Sequence, residues 1–233
     1  MARGPFDLSY EQLPSAIPVF PLAGVLLLPS GKLPLNIFER RYLAMTRDAL
    51  RSPDRLIGMI QPTGLAEADA GKAANGPALF PVGCAGRIVS FAESEDGRYL
   101  ITLDGVVRFR IREELGLTDG YRRVVPDFES FRGDMEDAEE SAGELARARI
   151  LKALMRYFRA KNVTANWDAI KKMDDSALIN SIAMSCPFDP TDKQALLESN
   201  GLAARGQVLA ALLEMGSMDV SGDSDSAPPP TRH

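Results

Sequence analysis

The chain has 233 residues, 45% of them hydrophobic, and a formal net charge of −5 at pH 7. That is enough apolar material for one large core or two small ones. Carboxylates outnumber cations in both halves, 16 to 15 over residues 1–131 and 16 to 12 over residues 132–233, which argues against a protein living mainly on phosphate backbone. The one histidine is His233, the last residue, so mechanisms that need a positioned imidazole are excluded, as are the common zinc sites.

The first residues, MARGPFDLSYEQLPSA, place Asp7 and Glu11 where a signal peptide needs apolar side chains, and no export is expected. The densest apolar stretch, Val25 to Leu28, is cut by Pro21 and Pro29. It falls far short of the ~20 residues that span a bilayer. Cys84 and Cys186 stand alone, without metal or redox spacing, and read as two buried thiols in a reducing cytosol.

From Ile17 to about Phe131 the pattern is mostly strand. A helix is expected early in this region, opened by Asn36 as N-cap with Glu39 three residues on, running to about Leu50 and burying Tyr42, Met45 and Ala49. The Ala/Gly-rich stretch from Thr63 to Ala78 reads as a mobile loop. Its Gly71-Lys72 pair is no nucleotide site, since Ala66 replaces the first P-loop glycine and Ala73 the required hydroxyl residue.

Three Asp-Gly pairs then punctuate alternating apolar runs. Asp96-Gly97 separates GRIVSF from RYLITL, Asp104-Gly105 separates RYLITL from VVRFRI, and Asp119-Gly120 precedes YRRVV. Because both residue types tolerate positive φ, these are hairpin signals, and an antiparallel meander is expected from about Phe80 to Phe131. In its third strand, alternation sets Val107, Phe109 and Ile111 on one face and Arg108, Arg110 and Arg112 on the other. The arginines are expected on a solvated face balanced by Glu113, Glu114 and Asp119.

Past Phe131 the sequence turns helical. An acidic run (Asp134, Glu136, Asp137, Glu139, Glu140, Glu144) leads into a basic helix containing Leu145, Ala148, Leu151, Met155 and Phe158, a charge order that suits the helix dipole. Shorter helices are expected over Trp167 to Met173, over Ser176 to Cys186, and from a Thr191/Gln194 capping box to Asn200-Gly201. The last helix should run from about Leu202 to Met215 and stop at Gly216. Beyond it the low-complexity tail should be disordered. The expected map is an arm over 1–16, a β domain over 17–131, a helical subdomain over 132–215 and a tail over 216–233.

Four segments, in order and spacing, resemble the N-terminal substrate-binding domain of the Lon protease family. They are IPVFPLAGVLLLPSGKLPLNIFERRY (Ile17 to Tyr42), RLIGMIQP (Arg55 to Pro62), LFPVGCAGRIVSFAESEDGRYLITLDGVVRFRI (Leu79 to Ile111) and KQALLESNGLAARGQVLAALL (Lys193 to Leu213). The resemblance implies an α+β fold: a PUA-like six-stranded β pseudo-barrel with one helix, then a C-terminal α-helical bundle. It also implies capture of protein substrates, in a stand-alone form without the ATPase and peptidase parts.

The resulting expectation is a non-enzymatic, cytoplasmic adaptor or holdase that needs no cofactor or metal and takes unfolded polypeptides or a protease or chaperone as partner. The alternative is a PUA-like RNA-binding protein using Arg108, Arg110, Arg112, Arg122 and Arg123, which the acidic balance disfavours. An enzyme built on Cys84 or paired carboxylates ranks last. Candidate peptide contacts are Leu26, Leu27 and Leu28, with Met45 and Met59 as adaptable fillers. If the leucines form a strand, Leu27 faces away from Leu26 and Leu28, so one set should lie under the helical half or be partly exposed, and an exposed set would be a grip for an apolar peptide.

Overall fold

The computed structural model describes residues 8–63, 76–136 and 142–222. Among these described residues six strands are formed: β1 (Ile17–Pro21), β2 (Lys32–Ile37), β3 (Leu56–Ile60), β4 (Val82–Glu93), β5 (Tyr99–Thr118) and β6 (Tyr121–Asp127). Two of the three Asp-Gly pairs make hairpins. Gly97 (φ 77°) turns β4 into β5, and Asp119 (φ 47°) with Gly120 (φ 82°) turns β5 into β6. The strand order is β2-β5-β4-β3-β1-β6, and β6 returns to pair with the second half of β5. The sheet thus closes on itself, with β1 and β3 parallel and the other pairs antiparallel. The closed part encloses Ile17, Val19, Leu56, Ile60, Ala85, Val107, Phe109, Val124 and Phe128, and Leu8, Tyr10 and Leu13 of the N-terminal arm pack against this core.

Asp104-Gly105 is not a turn. β5 runs through it for 20 residues. Gly105 is required there for close approach: a Cβ would run into the Leu28 carbonyl, and the glycine's backbone instead exchanges hydrogen bonds with the loop, Gly105 N to Gly31 O and Ser30 N to Gly105 O, each 2.8 Å. Alternation also fails along this strand. Arg108 is buried together with Val107 and Phe109, because its outer side is covered by the 3-10 turn Glu129–Met135 and the helix at 190–198.

Helix α1 (Arg40–Arg51) starts later than expected, with Glu39 as N-cap and no side-chain cap bond. Asn36 is not its cap, being held in β2 opposite Leu100. The buried face does contain Tyr42, Met45 and Ala49, with Ala44 and Thr46. Pro62 and Leu79 form a β-bridge at the base of the expected 63–78 loop; residues 64–75 lie outside the described residues.

The chain divides into two compact units: residues 1–139 with 183–198, and residues 140–182 with 199–233. The boundary near Phe131 is therefore not a single crossing. Helix α5 (Pro190–Glu198) is drawn to the β unit by polar bonds, with Lys193 Nζ donating to Gly24 O (2.7 Å), Gln194 Nε2 to Val82 O (3.1 Å) and Gln61 Nε2 to Pro190 O (2.9 Å). Because α5 starts at Pro190, Thr191 and Gln194 lie inside it, and Gln194 serves this docking instead of a capping box.

The second unit contains α2 (Glu144–Ala160), α3 (Trp167–Lys172), the start of α4 (Asp175–Ser185) and α6 (Gly201–Gly222). Asn166 caps α3 as expected, accepting from Ala169 N at 3.1 Å. The buried face of α2 is Ile150, Ala153, Leu154 and Tyr157. Leu145, by contrast, is 91% exposed. Helix α6 does not stop at Gly216 but continues to Gly222. A Cβ at Gly216 would lie 2.7 Å from the Tyr157 ring, so this glycine lets α6 approach α2 and is no terminator. Residues 223–233 of the expected tail lie outside the described residues.

Candidate binding surface

The five residues singled out for peptide contact are all core. Leu26, Leu27 and Leu28 are 2%, 1% and 0% exposed, and Met45 and Met59 are 0% and 3% exposed. The leucines escape the alternation argument because residues 22–31 are irregular, bent at Gly24 (φ 71°) and Ser30 (φ 63°). Leu27 reaches into space left by two glycines, its Cδ atoms lying against Gly86 and Gly105. No leucine set is presented to solvent.

The arginine stripe is divided in the same way. Arg108 makes a two-pronged ion pair to Asp134, Nε to Oδ2 at 2.8 Å and Nη2 to Oδ1 at 2.7 Å, while Nη1 donates to Leu197 O and the guanidinium covers Phe131 at 4.7 Å. Arg122 is likewise buried and paired two-pronged with Glu114, both bonds 2.7 Å. Arg112 remains exposed, 3.5 Å from Asp127. A continuous basic face does not form. The cysteines offer no nucleophile either. Both are buried, and burial pushes the Cys186 thiol up to about 11. Among the described residues no group of three His, Cys, Asp or Glu side chains could hold a metal ion.

Apolar area is exposed elsewhere, on a three-stranded wing formed by β2, the first half of β5 and the end of β4. Register sets Asn36, Leu100 and Ala92 in one row and Pro34, Thr102 and Ser90 in the next. The alternate residues Ile37, Ile101 and Leu103 are buried, so these rows form the outer face. Leu100 is 48% exposed there, and Phe38, just past β2 with the Arg98 guanidinium 5.9 Å from its ring, is 63% exposed. The rows line an open depression of about 400 Å³. Phe91 and Tyr99 meet edge to face at 5.1 Å in the same wing. The signal that could have located this face was present in the sequence: Phe38 and Leu100 are large apolar residues at positions that alternate with polar Asn36, Arg98 and Thr102.

Among the described residues β2 is also an edge strand with β5 as its one neighbour. Its ladder with β5, continued from the Gly105 N to Gly31 O bond, turns the backbone groups of Leu33, Leu35 and Ile37 toward β5. Those of Lys32, Pro34 and Asn36 therefore point outward. Proline lacks an N–H, so at Pro34 it costs the sheet nothing and interrupts any strand that would add along the edge.

A family model described as the ATP-dependent protease La (LON) substrate-binding domain matches residues 16–215. The chain belongs to the Lon substrate-binding domain family. Among curated relatives, Lon protease 2 of Myxococcus xanthus is 25% identical over 206 residues, covering 88% of this chain and 24% of the relative. The Lon protease of Anaeromyxobacter dehalogenans is 24% identical over 209 residues, covering 90% of this chain and again 24% of its own length. The chain thus spans about a quarter of the relatives it matches. Two solved structures share the fold: a Lon N-terminal domain protein from Xanthomonas campestris (22% identity, TM-score 0.58, covering 84% of this chain and 97% of that one), and the N-terminal domain of Mycobacterium avium complex Lon protease (17% identity, TM-score 0.56, covering 90% and 99%). The mixed six-stranded sheet followed by helices is therefore the fold of Lon N-terminal domains, and the chain is a substrate-binding module of that family.

Proposed function

We propose that this chain binds extended apolar segments of other polypeptides on the outer face of the β2–β5–β4 wing, as an adaptor or holdase that presents clients without cutting them. The observation that carries this reading is the co-location of exposed Phe38 and Leu100, an open depression and an edge strand. Side chains of a bound segment would find apolar cover on Leu100, Pro34 and Phe38, and its backbone could pair with Lys32 and Asn36. Pro34 limits that pairing to a short register, which suits transient capture better than permanent strand addition. The cytoplasm, where unfolded clients arise, is the compartment this role implies. An RNA-binding role is not supported, since Arg108 and Arg122 are consumed in buried ion pairs.

The test is fluorescence anisotropy of a labelled, permanently unfolded casein-like client with the variant Phe38→Ser/Leu100→Ser. Burying either apolar side chain against the client is worth up to ~1.5 kcal/mol, so affinity should fall by about tenfold or more. Thermal stability should hold, because both side chains are already exposed in the free protein. Unchanged affinity in the folded variant would remove the wing as the grip.

A further inference from the structure

Burial of Ile150, Ala153, Leu154 and Tyr157 in the helical unit leaves the opposite face of α2 to solvent. Arg149, Lys152, Arg156 and Arg159 follow one another along that face at helical spacing. The first three line a concave groove of about 340 Å³ with Ala148, Ala153 and Glu214 of α6. Glu214 is the one carboxylate among these lining residues. Arg149 takes both its oxygens, at 2.9 and 2.7 Å, and Arg156 acts on it through space. The groove therefore holds three cations against one carboxylate that is already engaged. This is a local reversal of sign, since the whole chain carries −5 and residues 132–233 hold more carboxylates than cations.

We propose that this groove docks an acidic polypeptide segment of a partner protein. The short side chains of Ala148 and Ala153 give it depth, so that a Glu or Asp side chain can reach Lys152 and Arg156 together. Leu145 and Met155, also exposed on α2, offer apolar contact beside the charges, which favours an acidic segment with interspersed apolar residues. A nucleic acid fits less well. No aromatic side chain lines the groove for a base to stack on, and the acidic remainder of the molecule repels a long phosphate chain. A membrane surface fits less well too, because the apolar stripe of α2 that would enter it is already buried in its own unit. The groove shares no lining residue with the wing and does not depend on the wing's role.

The experiment uses the full chain and a short fluorescein-labelled peptide of glutamates with interspersed leucines. Anisotropy should show binding that weakens about tenfold in Lys152→Glu/Arg156→Glu. It should also fade as salt rises from about 0.05 M to about 0.5 M. Lys171→Glu/Lys172→Glu, an equal charge change at exposed lysines of α3, should leave binding within about twofold. If the charge reversal disturbs the thermal melt, Lys152→Gln/Arg156→Gln replaces it and should still weaken binding. The proposal is overturned if the peptide does not bind, if the Lys171/Lys172 variant weakens binding equally, or if single-stranded RNA of matched charge binds more tightly than the peptide.

Discussion

Arg108 shows how one side chain can change its meaning between sequence and fold. In the sequence it is one of three alternating arginines; in the structure it is buried, saturated by Asp134 and Leu197 O, and ties β5 to a 3-10 turn and a helix from far along the chain. Arg108→Ala would leave the Asp134 carboxylate desolvated without its partner, and should destabilise the β unit by about 3–5 kcal/mol in urea unfolding. Arg110→Ala, at an exposed position on the same strand, should change stability by less than ~0.5 kcal/mol. Tyr121 supplies a pH test. Its hydroxyl donates to Asp48 at 2.8 Å, and burial first, then that hydrogen bond, raises its pKa from 10.0 to about 12. The fold favours the protonated phenol, so this contribution is complete below about pH 10 and is lost as pH rises toward 12. Thermal melts should therefore show Tyr121→Phe losing less stability than the parent between those two pH values.

At the scale of elements, the 22–31 segment and its glycine partners act together. Leu27 fills room that Gly86 and Gly105 leave open, and the Leu28 carbonyl sits where a Gly105 Cβ would stand. Each residue is ordinary alone; together they let an irregular loop bury three successive leucines. Leu27→Ser should accordingly cost about 3 kcal/mol or more, from reduced apolar burial, a residual cavity and a buried hydroxyl. Chemical denaturation measures it, and a cost under ~0.5 kcal/mol would mean that the leucine is not core. Helix α6 makes the complementary point, since Gly216 allows contact with the Tyr157 ring where the sequence suggested an end.

At the scale of the whole molecule, the two units divide the chemistry unevenly. The β unit keeps its buried Arg108 and Arg122 ion-paired and exposes apolar area on the wing, while the helical unit sets three cations against one carboxylate on one groove. Neither arrangement activates a nucleophile or cradles a phosphate. Purified protein should therefore show no ATP hydrolysis above buffer and no cleavage of a casein-like substrate, read by phosphate release and by gel. Turnover that copurifies with the chain through several columns and is abolished by point mutation of it would overturn the binding-only reading.

The sequence by itself determined the strand-rich first half and helical second half, the Asp96-Gly97 and Asp119-Gly120 hairpins, the buried face of α1 and the family. These rest on local periodicity, positive-φ chemistry at turns and ordered motifs, all written in neighbouring residues. Tertiary structure decided which side chains form surface and which form core. Whether Leu27 or Phe38 meets water depends on what lies across from it: for Leu27, two glycines far along the chain; for Phe38, the open outer face of the wing. The docking of α5 on the β unit, the burial of Arg108 and the passage of α6 beyond Gly216 have the same cause. Each is fixed by a partner distant in sequence, and no local pattern along a single chain encodes which partner that will be.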